Sequence, residues 1–92
     1  MPKNNFNDLL FDAILTLETR EELEKFFSDA CTPKEVESIA QRFAVAKMLN
    51  EKKVYNEIIE NTGASTATIS RVNRSINEGF QLAFETGLFR GL

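Results

Sequence analysis

Phe6, Leu9, Leu10, Ala13, Ile14 and Leu17 recur at the i, i+3, i+4, i+7 spacing of one helical face, with Asn5 placed to cap the helix that carries them. This stripe constrains the fold more than any other feature, because the chain has only 92 residues. A chain of that size buries little more than about 60% of its unfolded surface and supports one modest core. So wide an apolar face must be covered, and a second copy of the chain is the natural cover. Two Pro and four Gly leave the helical pattern almost uninterrupted, and eight Phe without a Trp supply packing material. The expected fold class is all-α.

Helix start signals divide the remainder. Thr19 with Glu22 three residues on forms a capping box, opening a helix that presents Leu23, Phe26, Phe27 and Ala30. Thr32-Pro33-Lys34-Glu35 repeats the signal more strongly, with Pro at the first helical position. The third helix is therefore predicted to start at Pro33 and to form a long central scaffold. It runs through Val36, Ile39, Ala40, Phe43, Ala46 or Lys47, and Leu49, and ends near Asn50-Glu51-Lys52-Lys53. A fourth helix is predicted over about Val54 to Asn61, a turn at Thr62-Gly63-Ala64-Ser65, and a fifth helix from Thr66 to about Asn77. A sixth carries Phe80, Ala83 and Phe84, and residues 87–91 are expected to fray. With no repeat or linker, residues 1–92 read as one helical domain, with dimerisation helices at about 5–50 and 78–88 and a helix-turn-helix at about 54–77.

Composition narrows the function classes. The absence of His removes the common zinc sites, the Ser-His-Asp and Cys-His nucleophile arrangements and a histidine general base together. Cys31 stands alone, so it forms no intrachain disulfide and reads as a small buried residue. The acidic residues sit mainly on helices beside Lys and Arg, which is the pattern of a solvated face rather than of paired catalytic carboxylates. No enzyme, metal site or cofactor is expected. No run of about 18 apolar residues spans a membrane, and residues 1–5 lack the apolar core of a signal peptide, so a cytoplasmic protein without a membrane partner is expected.

The net charge of −3 looks unfavourable for binding DNA until it is divided along the chain: residues 1–41 carry −5, residues 42–74 carry +3 and residues 75–92 carry −1. Phosphates meet the local patch, not the total. The positive surplus coincides with Tyr55 to Arg74, which fits a helix-turn-helix. Gly63 supplies the turn residue at positive φ, and Ile58, Ile59, Ile69 and Val72 supply the packing positions, although many such motifs carry Ala where Ile59 stands. Ser65, or Thr66 one residue later, caps the second motif helix. Thr66, Ala67, Thr68 and Ser70 then face outward, small enough to enter a major groove. Read from these residues alone, the motif is either a DNA reader or an ordinary helical packing corner. A helical protein-interaction module is the competing function, favoured by the sequence pI of about 5.0.

Thr32-Pro33-x-Glu35, then Arg42, then Asn61-Thr62-Gly63-Ala64-Ser65-Thr66-Ala67-Thr68-Ile69-Ser70-Arg71 resemble the Trp repressor superfamily, and the chain as a whole resembles its YerC/YecD-like branch. The similarity is good over roughly residues 31–76 and covers the N-terminal helices in length and pattern only. It implies a six-helix chain whose N-terminal helices interlace with those of a partner, a homodimer reading a pseudo-palindromic double-stranded DNA site as a transcriptional regulator, most simply a repressor. Carried over by position, Thr66, Ala67 and Thr68 would contact bases, and Asn56, Ser70 and Asn73 would lie near phosphates or the groove edge. Ser65 and Arg71 are counted with that surface, and Lys52, Lys53 and Arg74 join it on charge alone. The positions matching Thr32, Arg42, Arg71 and Ser75 surround bound tryptophan in Trp repressors, the two arginines flanking the indole. Where Val72 stands, the tryptophan-binding members have Gly. The resemblance therefore implies an effector pocket at Thr32, Arg42, Arg71, Val72 and Ser75 that does not require tryptophan, leaving room for a small-molecule effector of other identity.

Overall fold

The computed structural model describes residues 6–75 and 78–85. Regular structure among them is entirely helical: α1 (Phe6–Leu15), α2 (Arg20–Ala30), α3 (Pro33–Asn50), α4 (Tyr55–Thr62), α5 (Thr66–Ser75) and α6 (Glu78–Glu85). The expected Asn5 cap, the last turn of the fifth helix at 76–77 and the terminal tail lie outside the described residues. The chain divides into two compact units, residues 1–36 and residues 37–92.

In the first unit both start signals act as hydrogen-bonded caps. Thr19 is the N-cap of α2, its hydroxyl accepting from the Glu22 N–H at 3.1 Å, while the Glu22 carboxylate reaches one residue further back to the Glu18 N–H at 2.7 Å. Thr32 and Glu35 close the reciprocal box at the start of α3: Glu35 N–H donates to the Thr32 hydroxyl at 3.1 Å and Thr32 N–H to the Glu35 carboxylate at 2.7 Å. Each box satisfies two backbone donors that the first helical turn leaves without partners. Phe26 and Phe27 meet edge to face at 5.5 Å. Neither α1 nor α2 buries a residue, and Phe6 and Leu15 are 82% and 80% exposed. Leu17 falls beyond the end of α1 but stays half-buried, and Cys31, expected to be buried, is also half-buried at the C-cap of α2.

The second unit holds the compact core. Val45 and Ala46 of α3, Ile58 of α4, Ala64 of the turn and Ile69 and Val72 of α5 form one buried cluster, flanked by Met48, Leu49, Tyr55, Ile59, Phe80 and Phe84. Full burial of aliphatic side chains such as Val45, Ile58 and Ile69 stabilises by about 1.5–3 kcal/mol each. Phe43 joins α6 through an edge-to-face contact with Phe80 at 5.2 Å and a tilted one with Phe84 at 5.5 Å. The apolar pattern of α3 is buried unevenly. Val36, Ile39 and Ala40, expected on its packed face, are exposed, and Val45, which the helical spacing passed over, is fully buried. The buried residues of α3, Val45 and Ala46, lie in its second half, and two neighbours meeting there widen the buried arc beyond a single stripe.

The end of α3 is a Schellman closure, with Lys52 N–H donating to the Leu49 carbonyl and Lys53 N–H to the Met48 carbonyl, both at 3.0 Å. This geometry places Lys52 at φ +67°, the left-handed region usually given to Gly.

Candidate nucleic-acid interface

The motif begins at α4, whose N-cap Val54 makes no side-chain cap. Its other end is heavily bonded. The Thr62 hydroxyl donates to the Ile58 carbonyl at 2.8 Å and accepts from the Ala64 N–H at 3.1 Å, and Gly63, at φ +73°, donates its N–H to the Ile59 carbonyl at 2.9 Å. From α3, the Gln41 side-chain amide donates to the Thr62 carbonyl at 3.0 Å. A carbonyl at a helix C-terminus has no partner within its own helix, so this bond to another element is how α3 satisfies it. Gln41 had no signal in the sequence: an amide on a helix face looks like any solvated polar residue until its partner, 21 residues away, is known.

Of the two candidate caps for α5, Ser65 takes the role. Its hydroxyl accepts from the Thr68 N–H at 3.1 Å and donates to the Thr68 hydroxyl at 3.2 Å. Burial of Ile69 and Val72 fixes which face of α5 is left outward. Thr66, Ala67, Arg71, Asn73 and Arg74 are exposed, as is Asn56 on α4, while Thr68 and Ser70 are half-buried. No residue of α5 is acidic, so its N-terminus keeps the positive end of the helix dipole uncompensated, and Arg71 and Arg74 follow on the same helix. Lys52 and Lys53 are exposed at the turn before α4; Lys53 lies 3.9 Å from the Glu57 carboxylate, an exposed pair that contributes little. Lys47 pairs with Glu51 one helical turn on.

Beside the motif lies a cleft of about 280 Å³ lined by Arg42, Val72, Ser75, Gly79 and Phe80. Three of the five residues expected around an effector thus share one cavity wall. Arg71 is not among the lining residues, and Thr32 is engaged as the cap of α3. Gly79 and Phe80 were missed; Phe80 reads as core in sequence, and Gly79 carries no signal. The Ser75 hydroxyl donates back to the Arg71 and Val72 carbonyls at 3.0 and 3.3 Å, so toward the cleft it offers acceptor lone pairs only. Val72, at 3% exposure, presents an apolar wall.

Among the described residues no group of Cys, Asp and Glu is arranged to hold a metal ion, and no helix is long and apolar enough to cross a membrane.

Residues 6–86 match the family model of the Trp repressor protein. The uncharacterized protein YerC of Bacillus subtilis strain 168 is 52% identical over 83 residues, covering 90% of this chain and 79% of that protein. Two crystal structures superpose closely. One is a TrpR-like protein from Eubacterium eligens ATCC 27750, with TM-score 0.82 and 54% identity over 85% of this chain and 84% of the other. The second is a candidate Trp repressor from Staphylococcus aureus, with TM-score 0.85 and 48% identity over 90% of this chain and 86% of the other.

Proposed function

This chain belongs to the Trp repressor family, in its YerC-like branch, and from that premise we propose that it is a sequence-specific DNA-binding transcriptional regulator, acting as a cytoplasmic homodimer that represses without needing tryptophan. The observation that carries the reading is α5: a helix with a hydrogen-bonded Ser65 cap and no acidic residue. It exposes Thr66 and Ala67 at its first turn and Arg71 and Arg74 further along, while Ile69 and Val72 seat it in the core. Small polar and methyl-bearing side chains at the start of a helix suit hydrogen bonds to base edges and contact with thymine methyls. Asn56, Ser70, Asn73, Lys52 and Lys53 serve the surrounding phosphates, which position the helix without reading sequence.

The apolar surface that α1 leaves open on more than one side, with Phe6, Leu9, Phe11 and Leu15 between 57% and 82% accessible, supports the dimer. A two-fold pair presents two copies of α5, so the site is a pseudo-palindrome with half-sites about 34 Å apart. Val72 supports independence from tryptophan, since it forms a buried apolar wall of the Arg42 cleft at the position where the tryptophan-binding relatives carry Gly, and a branched side chain there leaves less room for an indole.

Selection of duplexes from a random pool, followed by a gel-shift salt series on the winner and sedimentation of the free protein, tests the reading. DNA binding predicts an affinity that falls linearly on a log–log plot against salt. Failure to retard any duplex would instead leave a helical protein-interaction module.

A further inference from the structure

We infer that Gln41 is a positioning residue for the reading helix: its amide sets the height of the motif turn on α3, and sequence discrimination depends on that bond. The inference rests on the DNA-binding reading above. Thr62 is where the turn is held together, since its hydroxyl links Ile58 to Ala64 and its carbonyl is the atom that Gln41 grips at 3.0 Å. Ala64 and Ser65 lead directly from there into α5. The next residue of α3, Arg42, lines the cleft with Val72 and Ser75, which belong to the second half of α5. α3 thus holds the motif at the turn before α5 through Gln41, while its Val45 and Ala46 share the buried cluster with Ile69 and Val72 of α5.

A hold at the turn, added to the core packing of Ile69 and Val72, fixes a tilt, whereas the core packing alone fixes only a position. The 10 residues of α5 span about 15 Å, so a small rotation about its buried middle carries Thr66 and Ala67 sideways at the reading end. Hydrogen bonds to base edges demand placement within about 0.5 Å. Attraction to phosphates falls off gradually with distance and tolerates such a shift. Loss of the Gln41 bond therefore removes discrimination before it removes attraction to DNA, and a residue that merely stabilised the fold would lower both together.

The test uses the full chain with Gln41→Met, which keeps the side chain's length and removes the donor, and Gln41→Glu, which keeps the shape and turns a carboxylate toward the Thr62 carbonyl. Dissociation constants are measured on the duplex selected by the wild type and on a shuffled duplex of the same composition, alongside amide exchange at Gly63 and Ala64. Both variants should bind the selected duplex about three- to tenfold more weakly, the reach of one lost hydrogen bond, with the shuffled duplex changed by less than about twofold, and both amides should exchange faster. Unchanged binding to the selected duplex, or equal losses on both duplexes, would overturn the positioning role. A wild type that binds neither duplex would refute the DNA-binding reading instead; the exchange arm then judges Gln41 alone, and unchanged protection at Gly63 and Ala64 would overturn its hold on the turn.

Discussion

The Ser65 hydroxyl and Thr68 form a two-way contact: Ser65 Oγ accepts from the Thr68 N–H at 3.1 Å and donates to Thr68 Oγ1 at 3.2 Å. The first bond satisfies a donor that the start of α5 would otherwise leave open. Ser65→Ala should therefore cost about 1 kcal/mol of folding stability in urea, and Ser65→Gly only a few tenths. Equal stability of Ser65→Ala and wild type would remove the cap from the account.

The second bond has a consequence for recognition. Because Thr68 Oγ1 accepts from Ser65, its own proton is left to donate, which suits a base acceptor such as thymine O4 or a purine N7. Thr68→Val, which keeps the shape and loses the hydroxyl, should weaken binding to the selected duplex by about 1–3 kcal/mol and leave shuffled DNA nearly unchanged. Equal losses on the two duplexes would assign Thr68 to the backbone.

Gly63 sits at φ +73°, and a Cβ built there meets nothing within 4 Å. Sterics from neighbours are thus absent and the backbone conformation alone decides. Gly63→Ala should destabilise by about 1 kcal/mol, and Gly63→Asn by less, since Asn tolerates the left-handed region. A loss of several kcal/mol in a denaturation curve would point to packing that the open surroundings of Gly63 do not contain.

Lys52 occupies the same backbone region without the excuse of being Gly. Relief of that strain, less the extra chain entropy of Gly, should make Lys52→Gly more stable by about 0.5–1 kcal/mol. If Lys52 also meets a phosphate, the slope of log affinity against log salt should shrink by about 0.9 in the same variant. A stabilised variant with an unchanged slope would place Lys52 outside the interface.

Millimolar tryptophan should raise neither the melting temperature nor the operator affinity, because Val72 forms a buried wall of the Arg42 cleft. A ligand at 100 times its dissociation constant would stabilise the fold by about 2.7 kcal/mol, which a melting curve resolves easily. An upward shift in the wild type would defeat the proposal, and a Val72→Gly variant that acquires one would strengthen it.

Local chemistry made much of this protein readable in advance. The capping boxes at Thr19 and Thr32, the Pro33 helix start and the Gly63 turn act over three or four residues, and each appears in the structure where its spacing placed it. The choice between Ser65 and Thr66 as cap was open because both are hydroxyls next to a helix start. Only the backbone path decides which one reaches the Thr68 N–H.

The sequence by itself determined the six helices, the motif turn and the family, because these rest on interactions between residues a few positions apart and on the run from Gly63 to Arg71. The tertiary structure alone decided which part of α3 is buried, that Val45 enters the core, that Gln41 holds Thr62, and that Gly79 and Phe80 complete the wall begun by Arg42, Val72 and Ser75. Each of those depends on which elements meet and at what angle. Periodicity fixes the face a helix offers, but the arc of that face which finds a partner is set by neighbours far along the chain.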